Sequence, residues 1–563
     1  MVPSFMMMSL LEKLFQRKSL DQILSDTENQ EHKLEKTLSA FDLVVFGVGA
    51  MVGAGIFVLT GAAAAGSGSH LAAGPALMLS FLLTAAVCGV CALCYAEFAA
   101  MIPISGSAYS YAFAALGELV AWVIGWALVL EYVVGNMAVA VGWTGSVKEF
   151  LGIFGIHNIP TWMLKNTFDT VTHAHLAHVD KASLLADPIA LNFLGHDSTT
   201  YLLVQKGFNL PACLILLATT ALLYRGVQES KLTTTLMVFV KTFVILLFIA
   251  TGLYFLGVNP HMVHTHWFAE GWKTFAPNGF NGVLAGASTI FYAYIGFDAV
   301  SCAAEETKNP QKDIPIGIIG SLIICTLLYI VVTAVITGAV PLDKINKEAA
   351  VVGVMTQMGY TWASVLVSVG AIAGLTSVLL VLQMAGVRVF YAIARDGLLP
   401  KPLAELHPRY KTPHICTVLV GIFAAIGAGF LPINMLAEMC NIGTLGAFMI
   451  VCAGIAILRF TDPERPRPFK TPGGILLPLV GIAGCAYVMT GLPALTWTTA
   501  GIWFVIGLAI YFGYGIKHSK LRQSHLTVPS MSGLPSQVVG DSVHPAVSAH
   551  TEAIEVPTTV SVR

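Results

Sequence analysis

Charge is the scarcest property of this chain. Of its 563 residues 11% are Asp, Glu, Lys or Arg, and the formal net charge is -1. Apart from short flanks between apolar runs there is no extended basic surface, which excludes nucleic-acid binding. Also missing are a nucleophile set beside a base, a metal-ligand box and a phosphate-cradling loop, so neither an enzyme nor a cofactor site is expected. The first forty residues are mostly polar and lack the apolar core of a signal peptide, and are expected to remain as a cytoplasmic lead-in. The ten cysteines lie in or beside apolar runs, which argues against a disulfide framework. Cys88, Cys91 and Cys94 share one helix face, but no His or carboxylate partner is evident, and helix packing accounts for them.

What the chain has in abundance is long apolar sequence, 56% of it hydrophobic. After a run from Phe41 to Ala65, others occupy about 71–99, 117–147, 209–224, 232–257, 280–303, 315–340, 362–387, 413–431, 435–458, 475–491 and 495–516. Each is compatible with a membrane helix, giving an all-α multi-pass protein of about twelve spans. Lys and Arg should then gather in alternate loops. Twenty-two of the thirty basic residues fall in the lead-in, the alternate loops and the tail assigned to the cytoplasm, and seven fall outside. The remaining one is Lys241, within a span. Both termini are thereby expected in the cytoplasm of a cell-membrane protein.

The stretch GAMVGAGIF, Gly49 to Phe57, holds more glycine than a membrane helix needs. Gly49 and Gly53 form a GxxxG pair, so close helix packing is one reading. The other is a helix broken at bilayer depth, whose exposed amides and carbonyls suit a carboxylate and an ammonium, the two ends of an amino acid. A second interruption, YAYIGFDAV from Tyr292 to Val300, supports the break. Five spans separate the N-terminus from the loop before Phe280, so the sixth span runs opposite to the first, and two antiparallel broken helices face each other.

Three ionisable residues lie deep in spans. Nine residues of the span, about 14 Å of helix, lie between Lys241 and Lys231 at the cytoplasmic end. An ammonium there needs carbonyls or a carboxylate around it, and its desolvation suits it to releasing a proton; a fixed charge tying helices together is the alternative. Glu131 either meets a substrate ammonium or is hydrogen-bonded within the protein. Asp298 either caps the half-helix after the second break or orders the cavity beside a substrate. Glu97, Glu305, Glu306 and Lys308 read as gate or anchor residues in the headgroup zone. Gly397 and Pro400 stop the eighth helix, and Trp122, Trp126 and Trp143 read as packing and interface aromatics. In the outer loop of 151–208, THAHLAHVD places His173, His175, His178 and Asp180 together; with no predicted helix or strand to hold them, a solvated, mobile loop is expected rather than zinc. The tail from about 523 onward reads as disordered.

Taken together, KSLDQILSD, HKLEKTLSAFDL, GVGAMVGAGIFVLTG, GWALVLEYVVG, FYAYIGFDAVS and RVFYAIARDGLLP give the chain a likeness over roughly 18–516. It resembles the amino acid, polyamine and organocation (APC) transporters, and within them the bacterial form of the cationic amino acid transporter branch. The resemblance implies two inverted five-helix repeats with broken first and sixth helices, LeuT-like, plus two extra helices. The segments are then 1–40, a first repeat at 41–257, a second at 280–458, extra helices at 471–516 and a tail at 517–563. By motif position it implies that the backbone of Gly53, Ala54, Gly55 and Ile56 holds a substrate carboxylate and that of Tyr292, Ala293 and Ile295 an ammonium. Glu131 and Asp298 would line the cavity, and Lys241 matches the fifth-helix lysine that touches the first and eighth helices in proton-coupled relatives. Tyr292 stands where relatives often have Phe, Ala54 where some have Thr, and the outer loop is longer than usual. The expectation is a proton-coupled L-amino acid symporter working by alternating access among membrane lipids, with an exchanger or facilitator, or a non-transporting sensor, as alternatives.

Overall fold

The computed structural model describes residues 14–17, 37–66, 70–102, 107–172, 179–190, 200–226 and 231–522. The helices that organise it are α1 (Ala40–Met51), α2 (Gly55–Ala65), α3 (Gly74–Met101), α4 (Ser107–Ala115), α5 (Glu118–Ile153), α6 (Leu210–Tyr224), α7 (Lys231–Val258), α8 (Gly279–Ile290), α9 (Pro310–Ala339), α10 (Ala350–Gln357), α11 (Thr361–Arg395), α12 (His414–Phe430), α13 (Ile433–Thr461), α14 (Leu476–Met489) and α15 (Ala494–Ile510). Among the described residues eight segments are long and apolar enough to cross a membrane, and the pair α1 and α2, bent by 44° at its break, makes a ninth. Helices α6, α12 and α14 are apolar but shorter.

Burial separates an inner post from an outer wall. The most apolar stretch of α5 is 94% buried inside the molecule, whereas that of α7 is 33% buried. Leu236, Phe239, Phe243 and Leu246 on α7, and Leu419, Ile422, Phe423 and Ile426 on α12, are exposed. Water would not tolerate so large an apolar belt, and lipid favours it.

Local chemistry sets the entrance to α1. Ser39 and Asp42 form a reciprocal capping box, with the Ser39 amide donating to Asp42 Oδ2 at 2.9 Å and the Asp42 amide to Ser39 Oγ at 3.4 Å. These bonds satisfy amides that a helix start otherwise leaves unpaired. Beside this cap lies the far end of the second interrupted segment, because the amides of Thr37 and Leu38 donate to the Glu306 carbonyl.

The loop of 151–208 departs from expectation. Phe168–Thr172 (β1), Ile189–Ala190 (β2) and Thr200–Val204 (β3) form an antiparallel sheet in the order β1-β3-β2. It is seated on the bundle by Asn166 Nδ2, which donates to the Ala428 carbonyl at 2.7 Å, and by Phe208 packed against Phe430. A solvated, mobile loop is therefore the wrong description of these strands, whose alternating β-branched and aromatic residues pair across the gap in sequence. Asp180 accepts from the Ala182 amide at 3.0 Å as a turn cap. His173, His175, His178 and the tail from 523 lie outside the described residues.

At the opposite end of the bundle Glu97 is fully buried between two arginines. Arg459 Nη2 is 2.7 Å from Oε2 and Arg467 Nε is 3.4 Å from Oε1, while the Thr471 amide donates to Oε2 at 2.8 Å. Glu97 is thus an anchor buried inside the protein. Glu118 is held in the same way by Arg522 at 2.8 Å, by the Tyr511 hydroxyl at 2.9 Å and by Ser519. Cys91 Sγ lies 3.4 Å from Cys485 Sγ and 3.9 Å from Cys452 Sγ, so the cysteine face of α3 packs on thiols from α13 and α14.

Candidate functional site

The α-helical conformation of α1 ends at Met51, Val52 is extended with ψ 92°, and the chain resumes at Gly55 in five residues of π-helix. The amides of Ile56 and Phe57 both turn back to the Gly53 carbonyl, each at 3.2 Å. The second interruption begins where α8 tightens into a 3₁₀ turn at Phe291–Tyr294. Ile295 is extended, and Gly296 has φ +115°, a value only glycine adopts without strain. A second 3₁₀ stretch, Asp298–Glu306, follows.

The two interruptions touch, and glycine is what permits it. A Cβ on Gly55 would lie 2.3 Å from Ala293 Cα, one on Gly296 3.0 Å from the Ala50 carbonyl carbon, and one on Gly47 2.9 Å from Val300 Cγ2. Contacts that run 47 with 300, 50 with 296 and 55 with 293 put the two segments antiparallel. Both readings of the glycines therefore hold at different positions: Gly49 and Gly53 admit Val238 and Val378 from α7 and α11, while Gly55 admits the other break.

Lys241 is buried, and its Nζ donates to the Gly49 carbonyl and lies 3.5 Å from Ser377 Oγ. One ammonium thus joins α7 to α1 at the last turn before the break and to α11. Glu131 sits in a π-helical turn, Leu130–Val134, inside α5. A π turn adds a residue to the helix and rotates the side chains that follow, and such turns recur at functional sites. Glu131 is fully buried, and neither of its carboxyl oxygens has a hydrogen bond. Asp298 Oδ2 accepts from the Tyr132 hydroxyl at 3.0 Å, while Oδ1 has no partner. The Tyr292 hydroxyl donates to the Gly135 carbonyl at 2.6 Å, so a tyrosine in place of Phe gains a bond to α5 just past the π turn.

Four residues at this junction carry no motif signal. The Tyr329 hydroxyl lies 2.9 Å from the Met51 carbonyl and 3.0 Å from that of Ala293, one group between both breaks. It has a single proton to give, so it satisfies one carbonyl at a time. Asn136, a turn beyond Glu131, is buried with neither side-chain polar atom hydrogen-bonded. Asn441 Nδ2 donates to the Ser288 carbonyl at 2.7 Å, but its Oδ1 has no partner. Ser377 completes the set. Unpartnered buried polar atoms are rare in folded proteins and costly, and Glu131, Asn136, Asp298 and Asn441 contribute six of them.

Interrupted helices crossing at buried polar groups, inside a wall of lipid-facing apolar side chains, define a multi-pass membrane protein with its chemistry at the centre of the bundle. The chain belongs to the amino acid permease family, whose sequence profile matches residues 38–516. It is 41% identical over 511 residues to the branched-chain amino acid permease BcaP of Bacillus subtilis, an alignment covering 91% of this chain and 99% of that protein. To the methylthioribose transporter of the same organism it is 40% identical over 513 residues, covering 91% and 100%. To the vacuolar cationic amino acid transporter 4 of Arabidopsis thaliana it is 35% identical over 455 residues, covering 81% and 68%. It is a permease and not an enzyme.

Proposed function

We propose that this permease moves an L-amino acid across the cell membrane by alternating access, together with a proton. The observation that carries the reading is the meeting of the two breaks at Gly55 and Ala293, beside the unpartnered carboxyl oxygens of Glu131 and Asp298. In this reading the half-helix start at Gly53, Ala54, Gly55 and Ile56 offers amides to the α-carboxylate, that of Ile56 by leaving the Gly53 carbonyl. The carbonyls of Tyr292, Ala293 and Ile295 accept the α-ammonium, and the two buried carboxyls add attraction for that cation. Tyr329 yields the Ala293 carbonyl by turning to Met51. Lys241, when protonated, clamps the Gly49 carbonyl, and loss of its proton frees α1 to tilt.

The architecture that suits this cycle is twelve spans, with α6, α12 and α14 added to the nine. They form inverted repeats at 41–257 and 280–458 with two extra helices at 471–516. The distribution of basic residues supports a reading with both termini in the cytoplasm.

Relatives named for branched-chain and cationic amino acids frame the substrate, and the relative named for methylthioribose favours including a thiosugar as a second reading. The test is uptake of labelled leucine, alanine, arginine and methylthioribose by purified protein in liposomes, with and without an inward proton gradient. Gradient-driven accumulation of one amino acid is expected. Exchange against internal substrate with no gradient effect would make the protein an exchanger and remove the proton from Lys241; binding without flux would make it a sensor.

A further inference from the structure

A groove of about 550 Å³ runs along the flank of the bundle, and none of its lining residues has a part in the reading above. Its origin lies in side-chain size. On α13, Met449, Ile450, Ala453 and Ile457 recur at helical spacing on one face, and the alanine leaves a hollow between larger neighbours. Val120 of α5 and Ile482 of α14 line it as well. Near its Ile457 end, Gly454 admits Leu116 from the turn before α5, since a Cβ there would lie 3.4 Å from Leu116 Cδ1. The edge is open to the apolar outer wall: Ile457 is exposed, and so is Phe460 a turn further on.

A short piece of the lead-in lies over the same end. Leu14 is buried in the core, while Phe15 and Arg17 line the groove. The Glu118 amide donates to the Gln16 carbonyl at 3.1 Å. Gly117, at φ +100°, is what lets the two strands of chain meet, because a Cβ on it would lie 2.6 Å from the Phe15 carbonyl carbon. The piece is thus fastened to the first turn of a span, at the depth where hydrocarbon gives way to headgroups. Arg17 is exposed, and among the described residues no carboxylate pairs with it. The acids at this end are engaged elsewhere: Glu118 with Arg522 at 2.8 Å, Glu97 with Arg459 at 2.7 Å and Asp462 with Arg465 at 3.1 Å.

We propose that this groove seats one anionic phospholipid, with its phosphate on Arg17 and its hydrocarbon along the Met449 to Ile457 face of α13. The dimensions favour lipid over a protein segment. Eight residues of rise make the face about 12 Å long, so the volume corresponds to a mean cross-section of about 46 Å², about half that of a helix 10–12 Å across. Slender hydrocarbon chains enter such a space; a helix from a second copy does not. The charge selects the headgroup. A guanidinium presents a planar fork that phosphate oxygens match with paired, charge-assisted bonds, and basic residues between membrane helices attract anionic headgroups. A lipid held there bridges the lead-in, α5 and α13, and the last two also reach the site, through Glu131 and through Asn441.

The test is native mass spectrometry of the full-length protein released from detergent after incubation with equal amounts of phosphatidylglycerol and phosphatidylcholine carrying the same chains. The wild type should retain one phosphatidylglycerol in preference to phosphatidylcholine. In Arg17→Gln that preference should fall about fivefold, the worth of one basic residue beside a charged headgroup. Lys206→Gln, which removes an equal charge from the outer sheet, should keep it, and Ala453→Phe, which fills the groove, should lose the retained lipid. Equal retention of the two lipids by the wild type overturns the proposal, as does a preference that survives in Arg17→Gln or falls equally in Lys206→Gln. Lipid retained by Ala453→Phe, or a wild-type dimer that this variant dissolves, overturns the groove as its seat. The wild type, Arg17→Gln and Lys206→Gln decide the question even if Ala453→Phe fails to fold. The readout needs no transport, so failure of the symport reading leaves it intact.

Discussion

Replacing Gly55 with alanine tests the contact on which the site rests. The new methyl carbon would lie 2.3 Å from Ala293 Cα, 2.5 Å from its Cβ and 2.8 Å from its amide nitrogen. Two of these atoms are backbone, so no rotamer change relieves the clash. The breaks must separate from 2.3 Å to the 3.4 Å where ordinary contact begins, about 1.1 Å. Overpacking of this kind costs about 1–3 kcal/mol, and a displacement near 1 Å in a site that positions a ligand costs on the order of 100-fold in function. Gly53→Ala is the matched control, because its methyl would meet Val378 Cγ2 at 3.3 Å, a side-chain methyl that can give by a few tenths of an ångström. The assay is thermal unfolding in detergent together with equilibrium binding of whichever labelled amino acid the liposome panel selects. Gly55→Ala should lose about 100-fold in affinity, while Gly53→Ala stays within a few-fold of wild type. Equal losses in the two variants, or an undisturbed Gly55→Ala, would refute the argument from close approach.

Lys241→Met should abolish accumulation driven by a proton gradient, measured in liposomes, and destabilise the protein by about 1–3 kcal/mol because the Gly49 carbonyl loses its donor. Glu97→Gln leaves Arg459 and Arg467 buried without their carboxylate and should cost about 3–5 kcal/mol, seen as a lowered unfolding midpoint. Burial pushes the Asp169 carboxyl above its usual range, with the Thr170 amide and Gln205 side chain partly offsetting it. The folded sheet thus holds this proton more tightly than a loosened strand does, so its protection against hydrogen exchange should be greatest below the ordinary carboxylate range and decline as pH rises through the raised value. In Asp169→Asn that decline should vanish.

The longer spans were legible because a membrane helix needs length and apolarity, and both survive in a bare sequence: the run read at 232–257 lies in Lys231–Val258, and all but the last residue of that at 315–340 lies in Pro310–Ala339. The two breaks were legible from glycines set beside polar residues. Their contact was less so, since Gly55 and Ala293 are brought together by tertiary packing alone. The π turn at Glu131 has no sequence periodicity to announce it. Asn136, Tyr329 and Asn441 are single polar residues in apolar runs, and nothing local distinguishes an unpartnered one from a satisfied one. The Glu97 anchor depends on arginines more than 360 residues away in the chain, and β1 and β3 pair across a long interval that no hairpin turn marks.

The outer sheet has a use beyond its own stability. Asn166, Phe208 and Asn209 fasten it to the last residues of α12, where the Asn209 amide donates to the Gly429 carbonyl at 3.0 Å, and Asn209 also opens α6 through its side-chain bond to the Ala212 amide at 3.2 Å. Helices α6 and α12 pack along each other, so the sheet is tied to both members of that helix pair. A probe or binding fragment attached to β3 would then serve as a fiducial mark fixed to the frame, against which displacement of α1 and α8 can be measured from outside the bundle without occupying the path between them.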